Sequence, residues 1–318
     1  MLEASNIFGR MNEWGKQKKP FFFLIDFMKN QGEIFPLSEP HPEIQFDIDS
    51  EPEPCPAKVI LKKYPISLEA YRPQFDFVQK NILRGNSYLA NLTCSTPIEI
   101  NLSLGEIYRY ARARYKMYWK GNFVCFSPET FIRIQNGKIY SYPMKGTIDA
   151  SVAEAAAKIL SDEKEMAEHY TIVDLIRNDL SQVAKKVKVE RFRYIDGIQT
   201  HEKKILQVSS EISGELPADF HTNLGGVFEK LLPAGSICGA PKKKTVEIIL
   251  EAEQHYRNFY TGVFGVFDGE NLDSAVMIRF IENTENGLVF KSGGGITHQS
   301  EAEKEYEEMI QKVYVPIY

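Results

Sequence analysis

Lys145 sits in the pentapeptide Pro143-Met144-Lys145-Gly146-Thr147, directly after the strand-like run Lys138-Ile139-Tyr140-Ser141-Tyr142. Proline ends a strand and glycine permits a tight turn, so the amine is held at the end of a rigid element. A lysine so held becomes a nucleophile when its pKa is lowered. Taken alone, a lysine beside a Gly-Thr turn is an ordinary solvated turn residue. Two predicted helices add carboxylates, Glu165 and Glu168 on one, Glu305 and Glu308 on the other. Their i,i+3 spacing puts each pair on one helix face, where like charges need compensation. A hard divalent cation supplies it, taking carboxylate oxygens and keeping water for a substrate oxygen. The plainer alternative is helix capping, since Asp162…Glu165 and Ser300…Glu303 both have capping-box spacing. Lys312 falls one turn beyond Glu308.

Three further features suit an anionic ligand. Pro233 to Lys242 is a small-residue loop, containing Gly235, Ser236 and Gly239, that enters a helix. Its backbone N–H groups can cradle an anion. It is not a Walker A loop, because the Gly-Lys-Ser/Thr ending is absent. The loop Lys291 to Thr297, with Gly293, Gly294 and Gly295, reads as a second cradle at a strand end. Arg279, in the apolar strand Ala275 to Phe280, calls for a carboxylate from the protein or a ligand. Together these groups suggest a small, multiply anionic substrate and metal-assisted chemistry.

The rest of the 318-residue chain must position them. It is 43% hydrophobic, 25% charged and 12% aromatic, the composition of a soluble globular protein. A net charge of −5 without a sustained basic stripe argues against a general nucleic-acid binder. Cys55, Cys94, Cys125 and Cys238 form no CxxC pair, which fits neither a zinc site nor a disulfide framework and points to the cytoplasm. The run Phe21 to Ile25 follows Lys16, Lys18 and Lys19, but it is too short for a signal peptide and reads as a buried strand. No segment reaches the length of a membrane span.

Strands are predicted at 20–28, 88–93, 121–126, 187–192, 205–214, 259–267, 272–281 and 287–292, with a hairpin over 131–142 turning at Asn136-Gly137. Helices are predicted at 66–84 with Ser67 as N-cap, at 153–183 with a break near Ser161-Asp162, and at 224–232, 243–253 and 301–313. The stretch 36–58, rich in Pro, Glu and Asp, reads as a poorly ordered surface excursion. Helices do not alternate strictly with strands, which indicates α+β rather than a doubly wound fold. With no repeat and no clear linker after residue 60, the chain reads as one domain over 1–318.

From about residue 75 to the C-terminus the sequence resembles the chorismate-utilising enzyme family. The resemblance rests on Tyr88-Leu89-Ala90-Asn91-Leu92-Thr93, Ser127-Pro128-Glu129, the Lys145 pentapeptide, Glu168-His169 and Asp174-Leu175-Ile176-Arg177-Asn178-Asp179. It continues through the Pro233 to Lys242 loop, Tyr260-Thr261-Gly262, Arg279, the glycine triplet and Glu305 to Glu308. It implies large, mainly antiparallel sheets packed as a sandwich with helices outside, preceded by a shortened N-terminal region of about 1–74. Anthranilate, isochorismate and salicylate synthases usually carry alanine before the Gly-Thr pair, whereas aminodeoxychorismate synthases typically carry lysine, as at Lys145.

The resemblance implies that Mg²⁺, held by Glu168 and Glu308 and supported by Glu165 and Glu305 through water, binds the ring carboxylate of chorismate. It makes Lys145 the nucleophile and Glu129 the general acid. Arg279 and Tyr260 would hold the side-chain carboxylate with amides of Gly293, Gly294 and Gly295; Thr147 would touch ring substituents; Lys312 would balance the acidic cluster; and Ser236 would bind substrate from its loop. Desolvation should lower the Lys145 pKa, and an apolar wall from Phe126 and Phe131 should raise that of Glu129. The implied product is 4-amino-4-deoxychorismate on the folate route, with a separate glutamine amidotransferase subunit supplying ammonia. Anthranilate synthesis is the alternative, and a non-catalytic chorismate-binding protein the second. Leu89 stands where isochorismate-forming members have a lysine base, Gln207 where relatives often have histidine, and Cys238 replaces a threonine. No Leu-Leu-Glu-Ser-type element is found, so no tryptophan feedback is expected.

Overall fold

The run Phe21–Ile25 is buried along its whole length, and its two faces belong to different cores. Phe21, Phe23 and Ile25 pack into one, Phe22 and Leu24 into the other. Side chains alternate across a strand, so a layer must lie on either side. In the computed structural model, which describes residues 1–199 and 204–317, one layer is a second sheet and the other is helical.

The strands are β1 (Leu2–Glu3), β2 (Phe21–Ile25), β3 (Gln31–Pro36), β4 (Ile44–Ile48), β5 (Leu61–Lys63), β6 (Leu89–Ile100), β7 (Tyr115–Trp119), β8 (Phe123–Ser127) and β9 (Thr130–Gln135). They continue as β10 (Lys138–Ser141), β11 (Met144–Asp149), β12 (Lys185–Gln199), β13 (Lys204–Glu215), β14 (Gly239–Ala240), β15 (Val263–Phe267), β16 (Leu272–Val276), β17 (Phe280–Thr284) and β18 (Gly287–Ile296). The helices are α1 (Ala4–Lys16), α2 (Leu68–Leu83), α3 (Leu104–Tyr110), α4 (Ala155–Ser161), α5 (Glu163–Ser181), α6 (Leu224–Leu231), α7 (Lys242–Ala252) and α8 (Ala302–Gln311).

The first sheet runs β1-β3-β2-β15-β16-β9-β10-β13-β11, with β12 on β13; the second runs β14-β6-β18-β17-β8-β7-β4, with β5 on β6. Neighbouring strands pair antiparallel, as the expected α+β sandwich requires. Between the sheets, Phe22, Leu24 and Phe264 meet Met117, Trp119, Phe123 and Phe280. Helices α1, α5 and α6 cover the outer face of the first sheet, and α2, α7 and α8 that of the second.

Two short links pass side by side from one sheet to the other. Glu129 lies in the link from β8 to β9, and Arg279 in the link from β16 to β17. The Val276 N–H donates to the Glu129 carbonyl at 3.1 Å, and the Phe126 N–H to the Arg279 carbonyl at 3.1 Å. Topology alone therefore places an acid and a guanidinium at the seam of the sandwich.

Local chemistry explains where the sequence was legible. The Ser67 hydroxyl accepts from the Ala70 N–H to cap α2, and the Asp162 carboxylate accepts from the Glu165 N–H to cap α5. Asn136 (φ 53°) and Gly137 (φ 72°) are both left-handed, as a two-residue hairpin turn needs. Three expectations are corrected. Within 36–58, β4 pairs with β7, because Ile44 enters the inter-sheet core. The glycine triplet is not a loop but part of β18, in register with Thr93, Leu92 and Asn91 of β6. Arg279 is not in a strand: the strand predicted over 272–281 breaks at the crossover, where Arg279 takes φ 55°.

Candidate active site

The Lys145 pentapeptide is a strand with a bulge rather than a turn. The register of β11 against β13 shifts between Met144 and Thr147, and Gly146 takes φ 87°. A bulge adds a residue to one strand and re-aims its side chain, and the left-handed backbone suits glycine. A Cβ on Gly146 would lie 2.9 Å from Glu165 Oε2, so the Glu165 carboxylate lies against the bare backbone of β11. Lys145 Nζ then reaches Glu168 Oε2 at 2.7 Å. Burial pulls the lysine pKa down, but Glu168, by charge and hydrogen bond, with Glu165 and Glu308, outweighs it, and the net shift is upward. This reverses the expected depression: the carboxylate that sits on the amine is sequence-distant, and its contact depends on the bulge. Thr147 follows in β11 opposite Gln207; its side chain lies outside the described residues.

Side chains are missing from β18 where the opposing groups crowd it. A Cβ on Gly294 would lie 3.3 Å from Glu305 Oε2, 3.7 Å from Glu308 Oε1 and 3.8 Å from Lys312 Nζ. The next residue faces the other way: a Cβ on Gly295 would lie 3.0 Å from Leu89 Cδ1 and 3.9 Å from Lys145 Nζ. The bare strand thus lets the charges of α8 and the amine of β11 come close across it. β17 leaves β18 after the Phe280–Lys291 pair, so among the described residues the glycines keep only β6 as a strand neighbour. Lys312 Nζ donates to the Gly293 carbonyl at 2.8 Å and pairs with Glu308 Oε1 at 2.7 Å. Burial lowers its pKa despite Glu308. Ser300 donates to Glu305 Oε1 at 2.6 Å; the α8 N-cap is Glu301, so the capping reading of Ser300…Glu303 does not hold.

Glu129 is half-buried and lines a small cavity. Burial raises its pKa, while the Ser236 hydroxyl, Arg279 and Lys312 work to lower it; the net direction is upward, as acid chemistry needs. Ser236 donates to Glu129 Oε1. Phe131 lines a small cavity behind Glu129, whereas Phe126 packs against Phe290 in another core. The Arg279 guanidinium lies over the Tyr314 ring, 5.3 Å from its centroid, a partner the sequence did not flag. Tyr260 is buried beside Phe280, and burial pushes its hydroxyl pKa up, with Arg257 and, less strongly, Arg279 opposing. Thr261, next to it, is a buried β-branched residue at φ 63°, a strained backbone held by the Thr261 N–H donating to the Met277 carbonyl. Cys238 is fully buried, its thiol pushed up to about 12, and is no nucleophile.

The carboxylates of α5 and α8 are hard oxygen donors, and glycines at 146 and 294 leave space that a Cβ would fill. Among the described residues no three His, Cys, Asp or Glu side chains already form a metal cage. Glu165, Glu168, Glu305 and Glu308 are the residues that would hold a hard divalent cation, since such ions take carboxylate oxygens.

Sequence reasoning missed Asp179 paired with Lys242, and the Ser236–Glu129 bond. Asp179 lies three helical turns beyond Glu168, so a shared helix face was its available signal.

Residues 32–317 match the family model described as chorismate binding enzyme. An uncharacterised PabA-like protein of Pasteurella multocida is 52% identical over 314 residues, covering 96% of this chain and 97% of that one. Aminodeoxychorismate synthase component 1 of Klebsiella aerogenes is 28% identical, over 91% of this chain and 67% of that one. Among solved structures, the menaquinone-specific isochorismate synthase of Escherichia coli superposes with a TM-score of 0.72 at 16% identity, over 97% of this chain and 80% of that one.

Proposed function

The chain belongs to the chorismate-binding enzyme family, and from that premise we propose that it converts chorismate and ammonia to 4-amino-4-deoxychorismate. The observation that carries this reading is the amine of Lys145, re-aimed by a bulge to the bare backbone at Gly295. An alanine there would leave no nucleophile at that point.

In this reading neutral Lys145 attacks C2 of the ring. The ring double bonds shift, the C4–O bond breaks, and Glu129 gives its proton to the hydroxyl, which leaves as water. Ammonia then forms the C4–N bond, the double bonds shift back, and the C2–N bond to Lys145 breaks. A proton from the incoming nitrogen returns to Glu129, so the cycle closes without an external acid. Arg279 and Tyr260 hold the side-chain carboxylate, with Gly293 to Gly295 giving backbone approach and Thr147 touching the ring. Ser236 serves the substrate through Glu129.

Neutral Lys145 requires Glu168 to be drawn off its amine. Glu168 and Glu308 would hold Mg²⁺, with Glu165 and Glu305 behind them through water; the ion would neutralise the acidic cluster and orient the ring carboxylate. Lys312 offsets the remaining charge. A glutamine amidotransferase subunit would supply ammonia, and a separate lyase would be needed to reach para-aminobenzoate.

The test is incubation with chorismate, Mg²⁺ and ammonium, followed by mass identification of the product. Amino-deoxychorismate is expected. Anthranilate would overturn the assignment, and chorismate left unchanged, even with an amidotransferase added, would favour a binding protein.

A further inference from the structure

The loop Pro233 to Pro241 contributes Ser236 to Glu129, but the loop itself must be held. Helix α5 does this from below. Asp179, one-tenth exposed by side chain, pairs with Lys242 Nζ at 2.7 Å, and the same amine donates to the Leu231 carbonyl at 2.8 Å. The Lys242 amine thereby joins the two ends of the loop, and the Asp179 carboxylate pairs with that amine. Gly235 lies directly on it: a Cβ there would be 2.9 Å from Asp179 Oδ2 and 3.1 Å from Leu175. A cavity of about 20 Å³ separates Asp179 from Glu129, lined also by Phe131, Ile176, Gly235 and Ser236. It has room for about one water, so the loop can shift there if released.

We propose that the Asp179–Lys242 pair is a positioning clamp that seats the Ser236 hydroxyl on Glu129 and so sets the protonation of that acid. This rests on the reading of Glu129 as the acid, but the clamp itself can be measured without turnover. Glu129 faces Ser236 from the loop, Arg279 from the β16–β17 link, Lys312 from the end of α8, and Asp179 across the cavity. A donated hydrogen bond favours the carboxylate, so losing Ser236 raises the Glu129 midpoint. Removing the negative charge of Asp179 by itself does the opposite. The two roles of Asp179 therefore differ in sign.

The experiment is a ¹³C-carboxyl NMR titration of the full chain, with the Glu129 signal identified by its absence in Glu129→Gln. Ser236→Ala and Asp179→Asn should each raise the midpoint by about one pH unit. The double variant should move no further than Ser236→Ala alone. Gly235→Ala, which displaces the loop without changing charge, should repeat the rise and stands in if Asp179→Asn does not fold. A lowered or unmoved midpoint in Asp179→Asn, or additive shifts in the double variant, overturns the clamp. If the parent makes no amino product, the proposed reaction fails while the titration still decides the clamp. If it does, Asp179→Asn should shift the pH profile of kcat upward by about one unit, matching the titration, with the KM for chorismate unchanged.

Discussion

Replacing Gly295 by alanine separates the stability of the fold from the use of Lys145. The added methyl would lie 3.0 Å from Leu89 Cδ1 and 3.9 Å from Lys145 Nζ. Carbon atoms prefer about 3.5–4.0 Å, so Leu89 must move by roughly half an ångström or more. Forcing its side chain off a rotamer costs about 0.5–1.5 kcal/mol. Against this, removing glycine from a strand interior gains about 0.5–1 kcal/mol of unfolded-state entropy. The difference is within about 1 kcal/mol, which in a chain of this size moves Tm by about 2 °C or less. Trimming the neighbour in Gly295→Ala/Leu89→Val should recover even that. Activity is expected to respond differently. A reacting carbon must come within about 3–3.5 Å of the amine, and misplacement by an ångström costs about 100-fold. The assay is a thermal melt beside steady-state chorismate consumption with Mg²⁺ and ammonium. A stable Gly295→Ala protein whose kcat/KM stays within threefold of the parent would show that substrate does not approach Lys145 along the glycine strand.

Other substitutions test neighbouring claims. Gly293→Ala should fail to fold, because its Cβ would meet the Leu92 carbonyl at 2.3 Å within the β6–β18 ladder; a two-state melt near the parental Tm would contradict the register. Lys145→Ala should abolish both amine formation and any trappable chorismate adduct, read by intact-protein mass, while Lys145→Arg should not restore it, since a guanidinium is always charged. Glu129→Gln tests linkage. The folded pKa stands above 4.5, so the native state prefers the proton; that preference stabilises the fold below pH 4.5 and is lost as pH rises through the folded value. Glutamine carries no such charge, so its Tm should exceed the parent's at pH 8 and match it at pH 4, and equal melts at both would refute the buried-carboxylate account.

The sequence made some of this structure readable and concealed the rest for physical reasons. Caps and turns are local, so Ser67, Asp162 and Asn136-Gly137 announced themselves. Helix faces follow from spacing, so Glu165 with Glu168 and Glu305 with Glu308 could be grouped before their partners were known. The glycine triplet looked like a loop because bare backbone is read as flexible; here it is bare so that charged side chains can lie against it. The Lys145 pKa was misjudged because its sign depends on a carboxylate brought in from α5, a long-range contact with no local signature. Arg279 was assigned to a strand since hydropathy cannot show where a strand leaves one sheet for another.

That departure has a mechanical consequence. Lys145 hangs from the first sheet, while the glycines of β18 belong to the second and Glu129 and Arg279 span the two. The gap between amine and glycine is therefore set by side-chain packing between the sheets, where Leu89 of β6 lies against Gly295. Leu89 acts there as a shim, so trimming it would alter the distance between the Lys145 amine and the glycine strand while leaving both of those elements unchanged.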